Sequence, residues 1–304
     1  MATPSPTPRQ PATVTHAPPS APALTPQDCA VLARLAHAQG GLVVDEAKPD
    51  FLEARLAPRL ARLGLPDFAA YTALLQSAEG ARELSSFVEA LTTHTTSFFR
   101  ESAQYDWLAS QGLPALIAQG AGTTRDLVLW SAACSSGQEL YSALIIVAEV
   151  GLAQGRTLAC RGYGTDISRA ILRRAEHAIY DGEEIAGIAL ERRRRYLLSA
   201  REGAAGPYRI VPELRERTRW LQANLLANAE LPAIAADVIF VRNVLIYFDA
   251  ATRARVLANI VRRLAPGGYL FTGHSETVHA SDYGLDQIRP SLYHKVAPSC
   301  PTRR

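Results

Sequence analysis

Four positions carry polar groups where a layered α/β protein would present them to a ligand: Glu139, Asp166, Arg242 and Asn243. Each follows a strand-like run. Leu127–Trp130 precedes Glu139, Arg161–Gly164 precedes Asp166, and Asp237–Val241 precedes Arg242. Open parallel sheets bind ligands beyond the carboxyl ends of their strands, so these turns are where chemistry is expected. The first turn, Ser131–Gly137, is built of small residues and opens a helix. Backbone approaches a ligand closely there, and the helix N-terminus favours negative charge. It carries one glycine and no G-x-G-x-x-G pattern, so a nucleotide-type ligand and a plain tight turn both remain open. Asp166 can accept both hydroxyl hydrogens of a ribose or cap the next helix, and the two roles are compatible. Glu139 can hold a ligand ammonium or complement the helix dipole. Arg242 and Asn243 either meet a ligand or satisfy nearby loop carbonyls. His94 and His274 have no partner at metal-ligand spacing. The run Arg192–Arg195 reads as a solvated helix face, with an acidic or nucleic-acid partner as the alternative.

The elements that must position these groups follow from periodicity. Residues 1–24 hold seven prolines among Ala, Thr and Ser and are expected to be disordered, because they cannot bury enough apolar area to offset ordering entropy. Order is expected from Thr25-Pro26, an N-cap followed by proline at the first helical position, to Gly40-Gly41. Leu52, Leu56, Leu60 and Leu63 form the next apolar stripe, with Pro58 expected to kink or shorten that helix. Phe68, Tyr71, Leu74 and Leu75, then Leu84, Phe87, Val88 and Leu91, give two more. Residues 25–95 thus read as a small all-helical domain and 96–119 as a linker. From 120 to 297, strands alternate with helices, which predicts an α/β fold with a doubly wound parallel sheet. An antiparallel β insertion is expected at about 188–221, and a flexible end at 298–304.

Composition narrows the function classes. The chain has 304 residues, 48% of them hydrophobic, enough for two domains. The longest apolar candidate, Ala143–Ala153, is interrupted by Glu149 and is shorter than the roughly 20 residues of a membrane span. The N-terminus lacks the basic flank and apolar block of a signal peptide. A formal charge of +3 does not imply nucleic acid. The four cysteines are scattered without a CxxC pair, so reduced thiols in the cytoplasm are the expectation.

Six motifs, read together, resemble the CheR-type chemotaxis receptor methyltransferases. They are Leu91–Glu101 (LTTHTTSFFRE), Trp130–Ser142 (WSAACSSGQELYS), Thr165–Ser168 (TDIS), Asn224–Leu226 (NLL), Val241–Asp249 (VRNVLIYFD) and Gly273–Glu276 (GHSE). Their order and spacing fit the family from about residue 25 to 295. The resemblance implies S-adenosyl-L-methionine as methyl donor and a glutamate side chain on the cytoplasmic domain of a membrane chemoreceptor as acceptor. It also implies a Rossmann-like catalytic domain with a small β insertion behind a helical N-terminal domain. Family cofactor contacts carry over onto His94, Thr96, Arg100, Glu139, Asp166, Asn224, Leu225, Arg242 and Asn243. The sequence departs from the family in three places. His94 stands where Asn is usual, Gln138-Glu139-Leu140 replaces Glu-Glu-Pro, and the basic second helix keeps Arg55, Arg59 and Arg62 but has Pro58 and Ala61 where further bases are expected.

A glutamate carboxylate, with a reference pKa of about 4.3, is ionised at neutral pH and needs no general base. The absence of an evident His-Asp dyad or activated cysteine in the sequence agrees with that chemistry. On this reading Arg100 orients a carboxylate, either the acceptor's or the donor's, and Tyr247 lines the transfer site. Two alternatives stand beside it: a methyltransferase acting on RNA or a small molecule, and a scaffold that binds the cofactor without turnover. No partner nucleic acid, metal or membrane insertion is expected, and the sequence leaves the oligomeric state open.

Overall fold

A computed structural model describes residues 24–199 and 206–296. The expectations for the proline-rich tail up to residue 23, for the C-terminal end and for residues 200–205 lie outside these limits.

The N-terminal module forms as its caps dictate. Helix α1 (Pro26–Gly40) opens with a capping box: Thr25 Oγ1 accepts the Asp28 amide at 3.1 Å, and the Asp28 carboxylate accepts the Thr25 amide at 3.2 Å. It closes on Gly41, whose φ of 69° suits glycine. Helix α2 (Pro49–Leu63) buries Leu52, Leu56 and Leu60 and ends at Gly64. Pro58 does not shorten it. Proline removes a single helical bond, and Pro58 lies on the exposed face while the leucine stripe opposite is locked in the core. Helices α3 (Phe68–Gln76) and α4 (Ala81–Leu91) complete the module, joined by a 3₁₀ turn at Ala78–Gly80.

The segment expected as a linker is instead helical. It holds α5 (Ser102–Trp107), a π turn at Leu108–Gly112 and α6 (Leu113–Ala118). The three abut as one helical run, with Leu108, Gly112 and Leu113 all right-handed helical, and the π turn shifts the buried face so that no regular 3.6-residue period shows. Tyr105, Trp107, Leu108, Leu113 and Leu116 are all buried, and Trp107 meets the ring of Tyr269 edge-on at 5.0 Å.

The remainder is the layered α/β unit. In chain order it runs β1 (Leu127–Ala132), α7 (Gln138–Ala153), β2 (Cys160–Asp166), α8 (Arg169–His177) and β3 (Ile179–Tyr180). Next come α9 (Leu190–Tyr196), β4 (Leu197–Ser199), β5 (Tyr208–Ile210), α10 (Pro212–Arg215) and β6 (Thr218–Gln222). It ends with β7 (Ala236–Val241), α11 (Ala250–Val261), β8 (Leu264–Thr272), β9 (Leu285–Arg289) and β10 (Leu292–Lys295). The large sheet has the order β6-β2-β1-β7-β8-β10-β9, with the first five strands parallel and β10 antiparallel to both its neighbours, β8 and β9. The insertion is a three-stranded antiparallel sheet, β3-β5-β4. It starts at Ile179, ahead of the expected residue 188. Thr218–Gln222 belongs to the large sheet, where it pairs with β2.

Two cores lie on opposite faces of the large sheet, and the period-2 alternation of the strands divides between them. On one face Trp130, Ala132, Ile239 and Val241 pack with the leucines of α1 and α2. On the other, Leu127, Leu129, Val238 and Phe240 pack with α7, the α5–α6 segment and the small sheet. The helical module therefore forms one wall of the α/β unit, which brings α1, α4 and the chain after α4 to the carboxyl ends of the strands. Among the described residues no helix is long and apolar enough to cross a membrane.

Candidate active site

A cleft enclosing about 960 Å³ of empty space, counting its open mouth, lies at the carboxyl ends of β1, β2 and β7. All ten residues expected at the site line it: His94, Thr96, Arg100, Glu139, Asp166, Asn224, Leu225, Arg242, Asn243 and Tyr247. The helical module supplies Gly40, Leu42, Val88 and Thr92 to the same cleft.

The floor is an ionic cluster built by β7 and α7. Arg242, with its side chain 2% exposed, directs Nη1 to Glu139 Oε2 at 3.3 Å and Nη2 to Glu101 Oε2 at 3.1 Å, and also donates to the Arg100 carbonyl. Glu139 Oε1 accepts from Ser131 Oγ at 2.6 Å. Burial pushes the Glu139 carboxyl up, opposed first by Arg242 and then by the Ser131 hydroxyl. Of the two sequence readings for Arg242, loop satisfaction and ligand contact, both therefore have structural content: the guanidinium is fixed by protein groups, and its residue lines the cleft. Its Nε is buried without a partner among the described residues.

Asp166, 6% exposed, ends β2. One oxygen accepts the Ser135 amide at 2.9 Å and the other the Ser168 amide at 3.0 Å. The cap of α8 is Ser168, whose hydroxyl accepts from Ile171, so Asp166 is not itself the N-cap. A carboxylate has about four acceptor positions, so two amides leave room for two more donors. His94 Nε2 stands 3.6 Å from Asp166 Oδ1. The fold thus assembles a His-Asp pair that no local spacing announced, although 3.6 Å is beyond hydrogen-bond length. Cys134 is buried in the same loop, and burial, then Asp166, raises its thiol well above the ordinary range, so it is no thiolate nucleophile.

Two of the expected contacts are held by their surroundings. Asn224 donates from Nδ2 to the Gln39 carbonyl at 2.9 Å and accepts the Leu226 amide at 3.0 Å, which ties the α/β unit to α1. Leu225 is 7% exposed. Arg100 donates from Nη1 to the Thr95 carbonyl at 3.2 Å, and its other donors have no partner among the described residues. Tyr247 sits in the 3₁₀ turn Leu245–Tyr247, whose end is stitched to the helical module: Val43 N donates to the Tyr247 carbonyl at 2.8 Å.

Strain concentrates at this cleft. Seven non-glycine residues among those described have φ between 51° and 62°, and five of them, Phe99, Glu101, Ala133, Ser135 and Asn243, lie in its three loops. Each such residue costs on the order of 1–3 kcal/mol and persists only where the surroundings over-determine it. Gly137 and Gly164 approach Trp220 closely: a Cβ on Gly164 would fall 2.2 Å from the ring.

Sequence reading gave no role to Ser131, Glu101 or Glu276. Glu276 follows β8, the next parallel strand, so the rule that pointed to the ends of β1, β2 and β7 would have found it. Glu101 carries no local signal, because its partner Arg242 is distant in the chain. The basic positions were only partly legible. Arg192 pairs with Glu149 through two 2.9 Å bonds and lies over the Phe99 ring at 4.4 Å, while Arg193 donates to the Ile188 and Ala186 carbonyls. Two of the four arginines are thus structural and only Arg194 and Arg195 are exposed. On α2, Arg59 pairs with Glu83, and Arg55 donates to the Thr92 carbonyl at 3.1 Å and to Thr93 Oγ1 at 2.9 Å.

Comparison with known proteins places this geometry. The family described as "CheR methyltransferase, SAM binding domain" matches residues 94–291, and "CheR methyltransferase, all-alpha domain" matches residues 27–92. The chemotaxis protein methyltransferase of Klebsiella aerogenes is 36% identical over 246 residues, covering 81% of each chain. That of Escherichia coli is 35% identical, covering 81% of this chain and 82% of the relative. Chemotaxis protein methyltransferase 2 of Pseudomonas aeruginosa is 37% identical, covering 79% and 83%. With both domains matched in order and the strand-end cleft formed between them, the chain belongs to the CheR methyltransferase family and is an S-adenosylmethionine-dependent methyltransferase of chemotaxis.

Proposed function

We propose that this protein transfers the methyl group to glutamate side-chain carboxylates on the cytoplasmic domains of chemoreceptors, forming glutamyl methyl esters, and that it acts in the cytoplasm. The observation that carries this reading is Arg100, a guanidinium on the cleft wall that gives one N–H to Thr95 and keeps donors for a carboxylate. The named functions of the relatives support a chemotaxis target.

The residues present fit the donor. Asp166 retains two acceptor positions for ribose hydroxyls. Leu225 and Asn224 offer a wall for the base, and Glu139, already held by Arg242 and Ser131, faces the region where an ammonium would lie. His94, Thr96 and Asn243 close the remaining sides. S-adenosylmethionine, when bound, supplies a methyl group activated by a sulfonium charge. The protein's task is to orient an acceptor that is already ionised and to keep water away, because the opposite charges of acceptor and donor cancel as the methyl moves. Correct positioning of this kind contributes roughly 7–11 kcal/mol in oriented reactions. Arg100 acts by position, since a tight guanidinium pair would also lower the reactivity of the carboxylate it holds. Tyr247 lines the transfer site.

The test is labelled methyl transfer to receptor-enriched membranes. Wild-type protein is expected to label receptor, and Arg100→Ala to label it at least about 100-fold more slowly at unchanged melting temperature. Full activity in Arg100→Ala removes that residue from the mechanism. Labelled RNA, or donor binding without transfer, would instead support the two rival readings.

A further inference from the structure

We infer that Glu276 is a positioning residue for the methyl-donor site: its carboxylate holds the Asn243–Tyr247 loop in the shape that lines the cleft. Glu276 does not line the cleft itself, and it is 4% exposed. Its Oε1 accepts the amides of Val244 at 2.8 Å and Leu245 at 2.7 Å. Its Oε2 accepts those of Asn243 at 2.8 Å and Gly273 at 2.7 Å. Four backbone donors therefore converge on one carboxylate, three of them from the loop that follows β7.

That loop needs an external clamp. Asn243 has φ 59°, a left-handed conformation a non-glycine residue resists, and the amides after it are turned away from the sheet toward Glu276. No main-chain acceptor replaces the carboxylate for Asn243 and Val244 among the described residues. The clamp is itself fixed. Thr272 Oγ1 donates to the Glu276 carbonyl at 3.1 Å, and the Glu276 amide donates to the Gly273 carbonyl at 2.9 Å. Gly273 must be glycine for the clamp to close, since a Cβ there would lie 2.7 Å from Oε2 and 2.9 Å from Asn243 Nδ2. An acceptor-only group is required on both sides. Glu276→Gln keeps the shape, but whichever way the amide turns, its NH₂ faces two backbone N–H donors.

This inference rests on the cleft being the donor site, and the experiment separates the two. Affinity for S-adenosylhomocysteine is measured by calorimetry, and transfer by labelled methyl, for wild type, Glu276→Gln and a control, Asp237→Asn. Asp237 is 1% exposed at the start of β7, away from the cleft, and its carboxylate likewise accepts a backbone amide, from Val128 at 2.8 Å, and an arginine, Arg125. Glu276→Gln is expected to weaken affinity about tenfold or more and slow transfer by about 100-fold at a temperature where it is fully folded. Asp237→Asn, losing melting temperature to a similar degree, is expected to keep wild-type affinity. Glu276→Gln with wild-type affinity and turnover, or equal loss of affinity in both variants, overturns the proposal. Wild type that fails to bind overturns the cleft assignment instead. If Glu276→Gln does not fold, Gly273→Ala, which pushes directly on Oε2, is expected to give the same loss of affinity, and wild-type affinity in that variant overturns the proposal.

Discussion

Arg242→Met removes the cation from between two carboxylates while keeping the side-chain volume. Arg242 is 2% exposed, Glu101 11% and Glu139 13%, so neither acid can turn to bulk water without moving backbone that is already strained at Glu101. Removing one partner of a buried ion pair costs about 3–5 kcal/mol, because the other charge is left uncompensated. At about 2.1 cal/mol/K of unfolding entropy per residue, a 304-residue chain loses about 1.6 °C per kcal/mol, which gives a fall in melting temperature of roughly 5–8 °C. The loss must also depend on pH. Burial already raises the Glu139 carboxyl, and Arg242 is the largest influence opposing that rise. A group whose folded-state pKa is raised stabilises the fold in its protonated form and loses that contribution as pH climbs through the folded value. Without Arg242 the folded value climbs further, so the deficit relative to wild type is expected to be smaller near pH 5 than near pH 8. Scanning calorimetry at both pH values measures this, and the double variant Arg242→Met with Glu139→Gln is expected to recover part of the loss at the higher pH. A deficit independent of pH, with no recovery in the double variant, refutes the view that an uncompensated carboxylate is the cause.

Three further outcomes are expected. Gly164→Ala places a Cβ 2.2 Å from the Trp220 ring and should cost about 1–3 kcal/mol by overpacking; an unchanged denaturant midpoint would contradict it. Glu83→Gln, which loses the charge that Arg59 and the Tyr71 hydroxyl share, should lower stability by about 3 kcal/mol while methyl transfer well below the melting temperature is preserved, as urea titration and the labelling assay will show. Asp166→Ala should raise the Kd for S-adenosylhomocysteine at least about tenfold, since even one charge-assisted bond is worth that much, and calorimetry giving an unchanged Kd would refute the ribose role.

What could be read from the sequence was local. Thr25-Pro26 and Gly41 announced helix ends because caps are written in neighbouring residues. The strand-like runs before Glu139, Asp166 and Arg242 announced strands, and the rule that ligands sit at strand ends then led to the cleft. What stayed hidden was set by partners far apart in the chain. The pairing of Arg242 with Glu101, the approach of His94 to Asp166 and the packing of Arg192 against Glu149 and Phe99 have no sequence period. The helical run of 102–118 was missed for another reason: the π turn at Leu108–Gly112 interrupts the 3.6-residue period, and its burial comes from the sheet beneath it and not from an amphipathic repeat. Pro58 shows the opposite limit, where a strong local signal for a broken helix is overridden by three buried leucines on the facing side.

The central claim is that an oriented, already ionised acid group receives the methyl. It is tested most directly by mass spectrometry of a chemoreceptor cytoplasmic domain incubated with the protein and S-adenosylmethionine, with and without mild alkali. The account predicts added methyl groups on glutamate side chains that alkali removes, as expected of esters. Methyl groups that survive alkali, or that sit on lysine, arginine or a hydroxyl, would contradict it.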